Sequence, residues 1–132
     1  MDPDSTHEEM VLFGGQVRLH ATDDGYVRVW QARPARSVGE LAELTQAFER
    51  SLREARTTRL LLDSRDSEYP RGELQQRLWE WLDQNRSVAR VAFVVRSANY
   101  AAFVNDNGIG PGVDARAFQK EDAALAWLTQ EA

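Results

Sequence analysis

The sequence predicts an α/β domain built on a mixed sheet of four or five strands, with an N-terminal hairpin and helices packed mainly on one face. Three observations carry this. Two short runs, Leu60-Leu61-Leu62 and residues 91–95, are apolar at every position, as strands covered on both faces are. Around them, apolar residues recur at three- and four-residue steps, the period of a helix with one buried stripe. Near the start, two alternating segments flank an Asp-Gly turn, the mark of an antiparallel hairpin.

Taken in order, residues 1–10 read as a flexible tail and residues 11–132 as a single domain. Residues 16–21 alternate, with Val17 and Leu19 on one face and Arg18 and His20 on the other. Thr22-Asp23-Asp24-Gly25 is the turn. Residues 26–32 alternate again, Val27 and Val29 opposing Tyr26, Arg28 and Trp30. Ser37 and Glu40 then stand three apart as a capping box. They open a helix whose stripe is Val38, Leu41, Phe48, Leu52 and Ala55, completed by Thr45, with Glu49 and Arg53 four apart in the favoured order. Residues 58–64 form the next strand. Pro70 opens a second helix that carries Leu74, Leu78, Trp81 and Leu82 inward and ends near Asn85. After the strand at residues 91–95, Ser97 caps a short helix through Phe103, which stops at Asn105-Asp106-Asn107-Gly108. Residues 113–118 are a short edge strand. Residues 121–130 are a last helix with Ala124, Trp127 and Leu128 inward. The order is β-β-α-β-α-β-α-β-α, a sheet with helices against it.

That order, with three short stretches, resembles the STAS fold of sulfate transporters and anti-sigma-factor antagonists. More closely it is similar to bacterial STAS/SEC14-like domains related to the SpoIIAA anti-anti-sigma factor. The stretches are Leu60-Leu61-Leu62-Asp63, the strand from Arg90 to Val95, and the ending Phe118-Gln119-Lys120-Glu121-Asp122 followed by Ala124, Trp127 and Leu128. The resemblance spans about residues 11–130 in element order. It implies a serine, phosphorylated as a switch, at the start of the second helix, in a region reading roughly Asp-Ser-x-Gly-Leu. Here Asp63-Ser64-Arg65-Asp66-Ser67-Glu68-Tyr69 stands in that place, and Ser67 is the nearest match. The Gly-Leu pair is missing, and Asp66 and Glu68 would repel an incoming phosphate.

Composition narrows the function classes. A net charge of −5 disfavours a general nucleic-acid binder, because phosphate is repelled by an acidic surface. With no cysteine there is neither a disulfide nor a thiolate metal site, which suits a reducing cytoplasm. No apolar run approaches a membrane span, and the acidic start is unlike a signal peptide. Lys120 is the only lysine among 16 basic residues, a bias expected of a genome rich in G and C.

No catalytic constellation emerges. His7 and His20 are the only histidines, and neither has an acid or serine at useful spacing. Asp63, at the carboxyl end of a buried strand, reads first as a carboxylate capping the loop and second as a ligand anchor. A receiver-domain reading fails, since the acidic pair Asp23-Asp24 lies in a turn and Lys120 at a helix start. Gly108-Ile109-Gly110-Pro111-Gly112 lacks the Lys-Ser/Thr of a phosphate loop and reads as a turn. Arg50, Arg53, Arg56 and Arg59 recur by threes near the end of the first helix, by default a solvated face. Trp79 falls at the flank of its helix, with Trp81 inward.

The expected function is therefore a non-catalytic regulatory or interaction module. It binds a protein partner through the loop after the third strand, with Asp63, Ser64, Arg65, Ser67, Tyr69, Arg71 and Trp79 as the contact set. No metal or cofactor is expected. The alternative is a carrier or sensor of a small apolar ligand, which requires an enclosed pocket lined by residues such as Trp79, Trp81 and Phe103. Trp79 at its flank also suggests a weak homodimer.

Overall fold

The computed structural model describes residues 9–69 and 72–130. The expected tail falls outside them as far as residue 8. Six strands form one sheet in sequential order: β1 (Met10–Leu12), β2 (Val17–Ala21), β3 (Val27–Gln31), β4 (Arg59–Asp63), β5 (Arg90–Val94) and β6 (Asp114–Phe118). The first two pairings are antiparallel and the remaining three parallel. Four helices intervene or follow: α1 (Val38–Ala55), α2 (Gly72–Gln84), α3 (Ala98–Asn107) and α4 (Glu121–Leu128).

The sequential order explains where the helices lie. Each parallel crossover advances the sheet in the same direction, and crossovers share one hand, so α1, α2 and α3 fall on one face. The main core lies there, where Leu60, Leu62, Val91 and Phe93 meet Leu44, Phe48, Leu52, Leu78, Leu82 and Val104. The intervening strand residues Leu61, Ala92 and Val94 point to the other face and are covered by Ala124, Trp127 and Leu128 of α4. The two all-apolar runs are thus central strands buried on both sides, as their composition requires. Arg59 and Arg90, at the amino ends of β4 and β5, donate to the Leu128 and Trp127 carbonyls at 3.0 Å and hold the end of α4 in place. Among the described residues, no helix is long and apolar enough to cross a membrane.

Four features depart from the sequence reading. An additional strand, β1, pairs Met10 with Leu19 and Leu12 with Val17, raising the count to six. It is three residues long, too short for a period, and it reverses through Phe13, Gly14 and Gly15, all at positive φ. The α1 stripe is displaced: Val38 is 52% exposed, whereas Leu44, Ala47 and Ser51 are buried. Ser37 caps α1 as expected, accepting from the Glu40 amide at 3.1 Å. The Glu40 carboxylate reaches one residue further back, to the Arg36 amide, and pairs with Arg33. Hydrogen bonding to Arg33 first, then to Arg36, holds Glu40 at about 2. Finally, α3 does not stop before Asn105 but continues to Asn107, because the Asn105 amide is satisfied outside the helix. It donates to the Ala117 carbonyl at 3.0 Å and accepts from the Ala117 amide at 2.8 Å, occupying the free edge of β6.

Candidate functional site

The loop after β4 emerges at the carboxyl end of the parallel strands, where open α/β sheets place their crevice. Its side chains divide between the two faces of the sheet. Asp63 turns toward α4 and is 3% exposed. Its Oδ1 accepts from the Arg65 amide at 3.2 Å and from Arg65 Nε at 2.9 Å, and its Oδ2 accepts from Arg65 Nη2 and Arg28 Nη2, both at 2.8 Å. Glu121, in the first turn of α4, completes the group. It accepts from Arg28 Nε at 3.0 Å and Nη2 at 2.9 Å, and from Arg65 Nη2 at 3.0 Å.

Two guanidiniums and two carboxylates therefore form a neutral quartet with every carboxylate oxygen engaged. Burial alone would raise the Asp63 carboxyl, but the bonds from Arg65 and the charges of Arg65 and Arg28 hold it below its ordinary value. The bond from Arg28 leads in holding Glu121 down. Arg28 and Arg65 are pushed up, chiefly by Glu121 and Asp63 respectively. A carboxylate saturated in this way neither moves a proton nor offers a lone pair to a ligand. Its work is to tie the loop to β3 and α4.

Ser64, Ser67 and Tyr69 face the other way, toward the three-helix side. The Ser64 amide extends the ladder to the Val94 carbonyl at 2.9 Å, and its hydroxyl donates to Gln31 Oε1 at 3.3 Å. Ser67 is buried, with its hydroxyl donating to the Glu68 carbonyl at 2.6 Å. The Tyr69 hydroxyl accepts from the Ser97 amide at 3.1 Å, docking the loop on the start of α3. These residues and Trp79 border a mainly apolar cleft of about 30 Å³, with Leu62, Phe93 and Val95 in its lining. That is room for little more than a water molecule.

A row of aromatic rings runs outward from this cleft. Tyr69 stacks on Tyr100 with centroids 4.0 Å apart and planes 6° from parallel. Phe103 follows one helical turn on, 6.3 Å from Tyr100 and 5.8 Å from the Trp79 ring of α2. Burial, and then the neighbouring Tyr69, push the Tyr100 phenol up to about 12. Its hydroxyl donates to Gln75 Oε1 at 3.1 Å. Phe103, at the outer end of the row, is 44% exposed.

The seven residues expected from sequence are thus divided. Ser64, Ser67, Tyr69 and Trp79 meet at the cleft, Asp63 and Arg65 sit on the opposite face, and Arg71 lies outside the described residues. Trp81, expected inward, is half-buried against Phe48 at 6.0 Å and away from the cleft. Tyr100, Arg28 and Glu121 were not among the expected residues. Tyr100 was legible in principle, since it stands three residues after the capping Ser97 and three before Phe103, on one helical face. The quartet was not, because its members lie up to 93 positions apart.

No protein-family model and no curated protein matches the chain. A solved structure does. An uncharacterized protein of the DUF3478 family from Shewanella loihica PV-4, described as having a SpoIIAA-like fold, superposes with a TM-score of 0.61. The match covers 97% of this chain and 98% of that one at 18% identity. This chain has a SpoIIAA-like fold. The resemblance carried by the β4, β5 and α4 sequences is therefore borne out at the level of architecture.

Proposed function

We propose that the chain is a non-catalytic interaction module acting in the cytoplasm, binding a protein partner through the loop after β4 and the aromatic row beside it. The observation that carries this reading is the row itself. Tyr69, Tyr100, Phe103 and Trp79 form one continuous apolar surface at the crevice end of the sheet, and its outermost ring is 44% exposed. Aromatic rings of this kind anchor protein interfaces, because they bury large area at little entropic cost. In this reading Asp63 and Arg65 hold the loop, Ser64 and Ser67 shape the cleft, and Tyr69, Arg71 and Trp79 with Phe103 make contact.

A cleft of about 30 Å³ argues against the carrier of an apolar ligand, since such sites measure about 300–1,000 Å³. Affinity capture from the host extract with quantitative mass spectrometry tests the module. Tyr69→Ala and Phe103→Asp should each lower recovery of a specific companion at least tenfold. Val11→Ser, an exposed apolar residue on β1, should not. Full recovery with Phe103→Asp excludes the aromatic surface, and a stoichiometric lipid in the native mass spectrum restores the carrier reading. The same exposed ring supports a weak homodimer, expected as concentration-dependent sedimentation in the micromolar range.

A further inference from the structure

At the opposite pole, where β4 and β5 begin, lies an open cleft of about 480 Å³. Arg53 and Arg56 of the α1 terminus, Thr57 and Thr58 of the following turn, and Ser87 before β5 line it. Arg86 stands beside Ser87, exposed. Among the described residues, neither Arg53, Arg56 nor Arg86 has an acidic partner, although Arg50 nearby is paired with Glu54 at 3.4 Å. The hydroxyls of Thr58 and Ser87 likewise have no partner among the described residues. One carboxylate, Glu49, borders the cleft, and its Oε2 accepts from Asn85 at 3.2 Å. In the lining itself, two guanidiniums without an acidic partner stand against one carboxylate, on a chain whose net charge is −5.

Arg56 adds a second, independent observation. It ends α1 in the left-handed conformation, at φ 55° and ψ 45°, the position that glycine favours. Its amide and that of Thr57 take the Arg53 and Leu52 carbonyls, so the last turn of α1 is closed and its negative end covered. Glycine would serve this backbone better. Arginine there supplies only its side chain, which lines the cleft.

We propose that this cleft binds a phosphate-bearing anion. Paired guanidinium forks with hydroxyl donors exceed what the two oxygens of a carboxylate accept, whereas a phosphomonoester offers three strong acceptors and up to two charges. The site is separate from the aromatic surface and independent of the function assigned to it.

The glycine argument supplies the decisive variant. Arg56→Gly should melt at the same temperature as the parent or higher, yet bind the anion at least tenfold more weakly. The first arm titrates pyrophosphate to millimolar concentration against the ¹⁵N-labelled protein. Amide shifts are expected at residues 53–58 and 86–88, retained in Arg50→Gln and lost in Arg56→Gly and Arg53→Gln. The second arm sediments the protein with vesicles of phosphatidylglycerol and phosphatidylcholine, against phosphatidylcholine alone. Binding in the first arm identifies a free phosphorylated compound as the source, and binding in the second alone identifies a lipid headgroup. The proposal is overturned if neither probe binds, or if Arg56→Gly and Arg53→Gln bind as the parent does.

Discussion

Asp63 shows how much one residue's surroundings decide its role. A carboxylate at a strand end in a crevice is an obvious candidate for chemistry, but here two arginines and a backbone amide occupy both of its oxygens. Removing it would leave Arg28 and Arg65 facing each other with only Glu121 between them. Because Arg65 is 37% exposed, water screens part of that repulsion, and Asp63→Ala is expected to cost about 2–4 kcal/mol, less than a fully buried pair. The pH dependence follows from the depressed carboxyl. The contribution is complete above the ordinary Asp value of about 3.9 and is lost as the pH falls through the lower folded value. The stability difference between parent and Asp63→Asn, measured by urea titration, should be constant from pH 7 to 5 and shrink below pH 4. A difference that grows on acidification would contradict the quartet. Leu61 tests the buried strand more directly. It is fully buried under α4, and Leu61→Ala should cost about 2–5 kcal/mol. A loss well under about 1 kcal/mol would mark β4 as peripheral.

At the scale of elements, period and capping were legible and very short or long-range features were not. The hairpin, α1, the two buried strands and α4 all carried a full period or a cap, and each is present. β1 offers three apolar residues, too few for a period, and its only further sign is the Gly14-Gly15 pair behind them, a turn signal. The end of α3 was misplaced because Asn-Asp-Asn is a turn composition. Its outcome depends on β6, where Asn105 finds a partner that local sequence does not announce. The candidate site divides in the same way. The loop residues were visible as a polar segment after a buried strand, whereas the role of Tyr100 required the position of α3 against that loop. The loop after α3 is fixed by close approach to α2. The Gly112 amide donates to Asp83 Oδ1 at 2.6 Å, and a Cβ at Gly112 would lie 2.1 Å from the Asp83 carbonyl oxygen. Backbone cannot give way as a side chain can, so Gly112→Ala should destabilise by about 1–3 kcal/mol in thermal or denaturant melts. Gly108→Ala, by contrast, meets no neighbouring atom and is opposed by its positive φ alone.

For the molecule as a whole, the direction of the parallel strands sets the geography. Loops leaving β4 and β5 gather at one pole with the aromatic row, and loops entering them gather at the other with the arginine cleft. Sites so separated, with no residue in common, should act independently. Phe103→Asp is expected to leave pyrophosphate binding unchanged, and Arg56→Gly to leave partner capture unchanged. Coupling of more than about threefold in either direction would mean that α1 or the sheet transmits between them. The sequential strand order has a consequence of another kind, in the way the chain is made. Every strand lies beside its neighbour in sequence, so no early segment must wait for a distant one to complete its pairing. A nascent chain can therefore lengthen the sheet strand by strand as it leaves the ribosome, each parallel pairing waiting only for the one helix that precedes its strand. The edge opposite β1 moves with each added strand, until β6 arrives and Asn105, synthesised just before it, occupies the outer groups of Ala117. The residue that terminates the sheet is thus in place before the strand it protects, which limits the time that a raw edge is open to pairing between molecules.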